Sequence, residues 1–229
     1  PTKGRNMSQN HVWIAFGDIH ENYAPFDSIP ELAEAEGIIV TGDLTNYGGP
    51  GKAASIMRVL RARCPRVFAQ AGNLDTPSVD EWLTDQGCNI HAKITGLAPG
   101  ISVLGLGGST PTPGHTPLEF TEDQYRAWLS PLTEEARRCG HLILASHNPP
   151  KDTACDRLTN GMHVGSEAVR SFIGDVQPEL CICGHIHESM AEDSIGKTKI
   201  VNPGMLGEGG YVVIRLGQDG LSAELKQIR

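Results

Sequence analysis

Along most of this chain, short apolar runs rich in β-branched residues alternate with segments of helical period, which restricts the fold to sheets covered by helices. Val12 to Phe16, Ile38 to Val40, Val67 to Ala69, Ile101 to Leu106, Leu142 to Ala145 and Leu180 to Cys183 read as strands. Helices are predicted over Phe26 to Ala35, Lys52 to Cys64, Val79 to Gln86, Thr121 to Arg138 and Ser166 to Asp175. The fourth carries Thr121 and Gln124 at capping-box spacing. Further on the helical period stops, and Lys197 to Val201, Tyr211 to Leu216 and Leu221 to Ile228 read as strands joined by Gly-rich turns. A meander after an alternating part points to a layered α/β sandwich of two sheets rather than one doubly wound sheet.

Size and composition narrow the class. A chain of 229 residues can enclose one core, so residues 7–229 are expected to form a single domain. Residues 1–6 are polar, precede Met7 and read as an appended or frayed terminus without a role in the fold. No run approaches the roughly 18 apolar residues of a bilayer span, and no apolar signal core opens the chain, so a cytoplasmic protein without membrane association is expected. The six cysteines are scattered without a Cys-x-x-Cys pair and read as reduced, mostly buried thiols. A net charge of −8 argues against a broad cationic surface for nucleic acid or anionic lipid.

Residues able to bind metal recur where the apolar strands end. Asp18 and His20 follow the first strand, Asp43 the second, Asn73 and Asp75 the third. His147 follows Leu142 to Ala145, and His185 and His187 follow Leu180 to Cys183. Ligands of open α/β folds bind at the carboxyl ends of strands, so these loops are expected to converge on one crevice. Mixed imidazole, amide and carboxylate donors suit divalent Mn, Fe or Zn. Two such ions about 3.5–4 Å apart need a shared oxygen donor, and Asp43, central in the series, is the candidate bridge. Taken singly, Asp, Asn and Gly after a strand are ordinary turn formers, and a lone histidine is more often structural than a ligand. The weight lies in coincidence: four of the nine histidines sit at successive strand ends together with Asp18, Asp43 and Asn73.

In order, Gly17-Asp18-Ile19-His20, Gly42-Asp43, Gly72-Asn73-Leu74-Asp75, His147 and Gly184-His185-Ile186-His187 resemble the signature of the calcineurin-like metallophosphoesterases. The resemblance spans most of the chain and implies a four-layer α/β/β/α sandwich of two mixed sheets. It also implies two divalent metal ions, one held by Asp18, His20, Asp43 and His187, the other by Asp43, Asn73, His147 and His185. The implied reaction is hydrolysis of a phosphodiester or phosphomonoester by a hydroxide bridging the two metals. The sequence departs from the common pattern at Leu74, which stands where a histidine usually serves as the acid for the leaving group. A leucine transfers no proton, so that task falls to another residue, to water, or to none.

Further residues are read beside these. His163, in the Gly-punctuated segment Asn160 to Ser166, is a candidate to reach the substrate, or else a loop histidine bonded to the backbone or exposed to water. His115, in a Pro-rich loop, is a weaker one. The resemblance implies that Asn22 offers its amide to a phosphate oxygen; a turn before a helix is the alternative. Asp75 is expected either to orient a metal-bound imidazole, to cap the following helix or to close the turn. Gly105 to Ser109 lacks the Lys-Ser/Thr ending of a P-loop, and Thr110 to Pro117 after it reads as part of a lid. The expected substrate is a small-molecule phosphate ester or nucleotide rather than nucleic acid. A metal-binding but catalytically silent scaffold subunit is the rival.

Overall fold

In the computed structural model, which describes residues 11–228, eleven strands form two sheets. The segment 1–6 lies outside the described residues. The strands are β1 (His11–Phe16), β2 (Gly37–Val40), β3 (Val67–Ala69), β4 (Ile94–Ala98), β5 (Ile101–Leu106), β6 (His141–Ser146), β7 (Leu180–Ile182), β8 (Ala191–Ile195), β9 (Thr198–Asn202), β10 (Gly210–Gly217) and β11 (Gly220–Gln227). The helices are α1 (Pro50–Arg63), α2 (Pro77–Asp85), α3 (Glu122–Leu129), α4 (Thr133–Arg138) and α5 (Glu167–Val176). One sheet has the order β11-β10-β1-β2-β3, the other β4-β5-β6-β7-β9-β8. Both are mixed: β1 runs parallel to β2 and antiparallel to β10, and β5, β6, β7 and β9 run parallel between antiparallel edge strands.

The strand periodicity of two builds three apolar cores from these two sheets. In β1, Val12, Ile14 and Phe16 face α1 and α2, which contribute Ile56, Met57, Leu60, Val79 and Leu83, whereas Trp13 and Ala15 face the other sheet. In β6, Ile143 and Ala145 meet that inner layer, and Leu142 and Leu144 pack outward on Tyr125, Phe172 and Ile173 of α3 and α5. Strands buried on both faces read as continuous apolar runs, which makes them legible in the sequence. The result is the expected four layers, helix, sheet, sheet, helix.

Several elements differ from expectation for local reasons. Phe26 to Ala35 forms two 3-10 turns, Phe26–Ser28 and Pro30–Ala33, rather than one helix. Pro30 has no N–H to donate and drives Ile29 to extended geometry, with ψ 110°. The predicted helix Thr121 to Arg138 keeps its capping box at Thr121 and Gln124 but breaks at the 3-10 turn Ser130–Leu132, around Pro131. β4 and β8 are absent from the sequence expectation because both are edge strands, half exposed and diluted by Gly96 or by Glu192 and Asp193. All six cysteines are free, and all but the half-buried Cys139 are buried.

At one end of the sandwich a buried neutral side chain bridges the two sheets. Gln70, fully buried just past β3, shares the two protons of its Nε2 among the carbonyls of Thr41 (3.1 Å), Leu106 (2.9 Å) and Ala145 (3.0 Å). Those carbonyls lie at the ends of β2, β5 and β6, and the loops after β2 and β6 carry Asp43 and His147. Gln70→Leu keeps the volume and removes the donor, so unfolding free energy should fall by about 1–3 kcal/mol. Urea denaturation measures this, and an unchanged stability would show that the carbonyls need no partner.

Candidate metal centre

The motif residues leave their strands by abrupt turns. Asp18, His20, Asp43 and His185 all hold left-handed backbone, with φ of 48°, 46°, 51° and 67°. Each such residue costs about 1 kcal/mol and persists where neighbours enforce it. Here the loops after β1 and β2 are stitched together: the N–H groups of Asp18, Ile19 and His20 donate to the carbonyls of Gly42 and Asp43 at 2.9–3.1 Å. Gly42, at φ 127°, passes so close to His147 that a Cβ would stand 2.6 Å from Nδ1. At Gly184 an added Cβ would strike the Asp18 carboxylate.

These turns gather donors from both sheets. Asp18, His20 and His187 offer ligand atoms within 4.8 Å of one another, and so do Asp18, Asp43 and His147. His187 Nε2 lies 3.0 Å from Asp18 Oδ1 and 3.1 Å from His20 Nε2. Asp43 Oδ2 sits between the two groups, 3.8 Å from His20 Nε2 and 3.5 Å from His147 Nε2, while its Oδ1 accepts from Leu74 N at 2.8 Å. Asn73 Oδ1 is 2.9 Å from His147 Nε2. The His185 ring centre is 5.3 Å from that of His147, and its backbone N–H donates to Asp18 at 3.0 Å.

The electrostatics call for a cation. Asp18 and Asp43 are 0 and 2% exposed, and among the described residues neither pairs with Lys or Arg, only with histidines. Carboxylates buried in this way need compensating positive charge. Burial opposes ionisation of Asp18, but hydrogen bonds with His187 and His20 overcome it and hold its pKa far below the usual range. Burial likewise opposes protonation of His147, yet the Asp43 carboxylate raises its pKa to about 9. His185 moves the other way, to about 4, through burial and then the neighbouring His147. Among the described residues the buried Nδ1 atoms of His20 and His147 have no hydrogen-bond partner. Neutral imidazole, carboxylate and amide oxygen form a donor set that fits divalent metal.

Residues 13–189 match the family model of the calcineurin-like phosphoesterases. The chain belongs to that family. It is 33% identical over 197 residues to the uncharacterized protein MJ1162 of Methanocaldococcus jannaschii, covering 83% of this chain and 86% of the relative. In fold it is similar to TT1561 of Thermus thermophilus, with a TM-score of 0.72 at 19% identity over 96% of this chain and 99% of that one. A dimetal phosphatase from Danio rerio superposes with a TM-score of 0.67 at 12% identity, over 95% of this chain and 96% of its own.

Against the calcineurin-like pattern, the remaining site residues fall in distinct places. Leu74 is half-buried and offers only its backbone to Asp43. Among the described residues Asp75 makes no hydrogen bond to an imidazole, and Thr76 rather than Asp75 is the N-cap of α2. Asp75 instead accepts from the N–H groups of Leu44, Thr45 and Gly72 at 2.9–3.0 Å, binding the loop after β2 to that after β3. Burial, and then the Asp43 charge, lift its pKa to about 6. His163 has its Nδ1 held at 2.6 Å by the buried Asp156, which also accepts from the N–H groups of Asp152, Thr153 and Gly165. The segment carrying His163 adjoins the His185–His187 loop through a hydrogen bond from Thr159 N to Glu188 Oε1 at 3.0 Å. Asn22 is exposed, its amide nitrogen lying beside Gly207, and His115 is exposed in its loop.

Sequence reasoning passes over Asp156, Asn202, Thr116 and Glu119. Buried Asn202 donates to the carbonyls of Cys155 and Ile186 and so braces the His185–His187 loop. The one signal is its place before Pro203-Gly204, a turn whose Gly204 N–H it accepts. Gly42→Ala should lower metal affinity by at least roughly tenfold, because the new methyl displaces His147. Calorimetric titration checks this, and unaltered binding would show that the close approach is dispensable.

Proposed function

We propose that the chain is a dinuclear-metal-dependent phosphoesterase acting on a phosphodiester or phosphomonoester. The observation that carries the reading is the pair of buried carboxylates, Asp18 and Asp43, set among four histidines and one asparagine with no Lys or Arg to neutralise them among the described residues. One ion would be held by Asp18, His20, Asp43 and His187, the other by Asp43, Asn73, His147 and His185, with Asp43 shared. Two divalent ions bound there, whether Mn, Fe or Zn, would supply Lewis acidity toward phosphoryl oxygens and would lower the pKa of water. The neutral Asn73 amide limits the ligand charge, which leaves the centre attractive to a phosphate anion. Family membership and the fold shared with a dimetal phosphatase support the same reading.

His163 takes the place of the missing histidine at Leu74. With Nδ1 fixed on Asp156, its ring is held in one orientation, and Nε2, which makes no hydrogen bond among the described residues, is left to give a proton to the leaving oxygen. Asn22 binds a phosphoryl oxygen once substrate draws its amide from Gly207. Among the described residues, the exposed large apolar side chains are Tyr47 and Met162, on the loops that carry Asp43 and His163. Their placement favours an ester with an aryl or nucleoside group over nucleic acid, consistent with the net charge of −8.

The test is a screen of phosphomonoesters, cyclic nucleotides and diesters against protein reconstituted separately with Mn, Fe and Zn. Turnover with a bound metal pair is expected; metal bound without turnover of any ester would favour a silent scaffold. Asp43→Asn should remove both metals and nearly all activity, and wild-type turnover at full metal content would sink the bridging role. His163→Ala should slow alkyl esters by roughly 10²-fold or more while sparing aryl esters with acidic leaving groups, and Leu74→His should restore part of the alkyl rate. Equal losses on both substrate types would remove His163 from proton transfer.

A further inference from the structure

We propose that Thr116 and Glu119, on the loop between β5 and α3, are positioning residues that fix which way the Asn73 side-chain amide faces and so present its oxygen to the metal. The proposal rests on the metal-site reading above and deepens it. A side-chain amide has an oxygen and a nitrogen of nearly equal size, so rotation by 180° exchanges a metal ligand for an NH₂ group that is none. Something must choose between the two orientations.

The choice follows from a chain of donors and acceptors. Glu119 Oε1 accepts from Thr112 Oγ1 at 2.6 Å, Thr116 N at 2.7 Å and Thr116 Oγ1 at 2.7 Å. Burial works against its charge, but the hydrogen bonds from Thr112 and Thr116 hold its pKa at about 2, so it is ionised and can only accept. The single Thr116 hydroxyl proton is therefore committed to Glu119. What Thr116 Oγ1 has left for Asn73 is a lone pair, and it meets Asn73 Nδ2 at 3.0 Å. With the NH₂ group drawn to Thr116, Oδ1 is turned toward His147 Nε2, 2.9 Å away.

The loop is held firmly enough to make this choice. Leu118 N donates to the Asn73 carbonyl at 3.2 Å, so the segment 116–118 grips both the backbone and the side chain of the same residue. Ser109 N to Leu118 O (3.1 Å) and Phe120 N to Ser109 O (2.8 Å) close the base of the loop. Asn148, next to His147, donates to Thr110 Oγ1 at 3.1 Å and ties the loop to the second sheet's ligand. Asn73 itself is 3% exposed, so water has little access to settle its orientation instead.

The experiment titrates metal-free protein with Mn²⁺ in a calorimeter. Wild type is expected to bind two ions. Thr116→Val, close in shape but without the hydroxyl, should weaken one of them by about 10–100-fold and leave the other unchanged, while Thr116→Ser should retain wild-type binding. Asn73→Asp supplies the control, since a carboxylate presents oxygen in either orientation; in that background Thr116→Val should cost nothing further. Full binding at both sites in Thr116→Val would overturn the proposal, as would an equal loss in the Asn73→Asp background, which would mark Thr116 as mere packing. A wild-type protein that binds none of Mn²⁺, Fe²⁺ and Zn²⁺ in parallel titrations would overturn the metal-site reading, and this inference with it.

Discussion

The structure is organised around negative charge taken out of water at the seam between two sheets. Asp18, at the end of a strand of one sheet, accepts hydrogen bonds from the His185 backbone and the His187 ring at the end of a strand of the other. That carboxylate is both a link between the halves of the sandwich and a charge that, among the described residues, neither half neutralises with Lys or Arg. Charge of this kind is tolerated where something positive completes it, so the residues that join the sheets are also the ones a cation would complete. Gln70 repeats the arrangement without charge, one amide serving carbonyls from both sheets beside the site.

Strain and support are distributed in a consistent way. Four of the residues proposed to hold metal sit on left-handed backbone, and the groups that fix the surrounding loops are mostly acceptors of backbone N–H: Asp75 for the loops after β2 and β3, Asp156 for the loop bearing His163. A buried carboxylate that collects several N–H groups converts a flexible turn into a fixed one, because every departure leaves charge unsolvated. Asn202 does the same for the loop after β7 with a neutral amide. These hydrogen bonds fix the loops that carry the candidate ligands.

What can be read from the sequence divides along physical lines. Central strands such as β1 and β6 are buried on both faces and announce themselves as apolar runs, whereas the edge strands β4 and β8 carry polar residues toward solvent and do not. The series proposed to bind metal stands out in the sequence because strand ends are found by period and the candidate donors follow them at once. Asp156, Thr116 and Glu119 do not, since a residue that acts by accepting an N–H or steering a hydroxyl looks, in one dimension, like any polar loop residue. Pro30 and Pro131 stand in plain sight, but the apolar period running through both expected helices masks their power to break them.

Each of the two proposed donor groups draws side chains from both sheets, with Asp18, His20, Asp43 and Asn73 on one and His147, His185 and His187 on the other. The inner layer that separates the sheets, where Trp13, Ile39, Ile143 and Ile182 interlock, therefore acts as a gauge for the distance between donors that never touch it. A change of volume there would slide one set of ligands past the other by fractions of an ångström, the scale on which divalent metals distinguish one coordination shell from another. On the proposed reading, metal preference would be tuned partly by an apolar layer that supplies no ligand of its own.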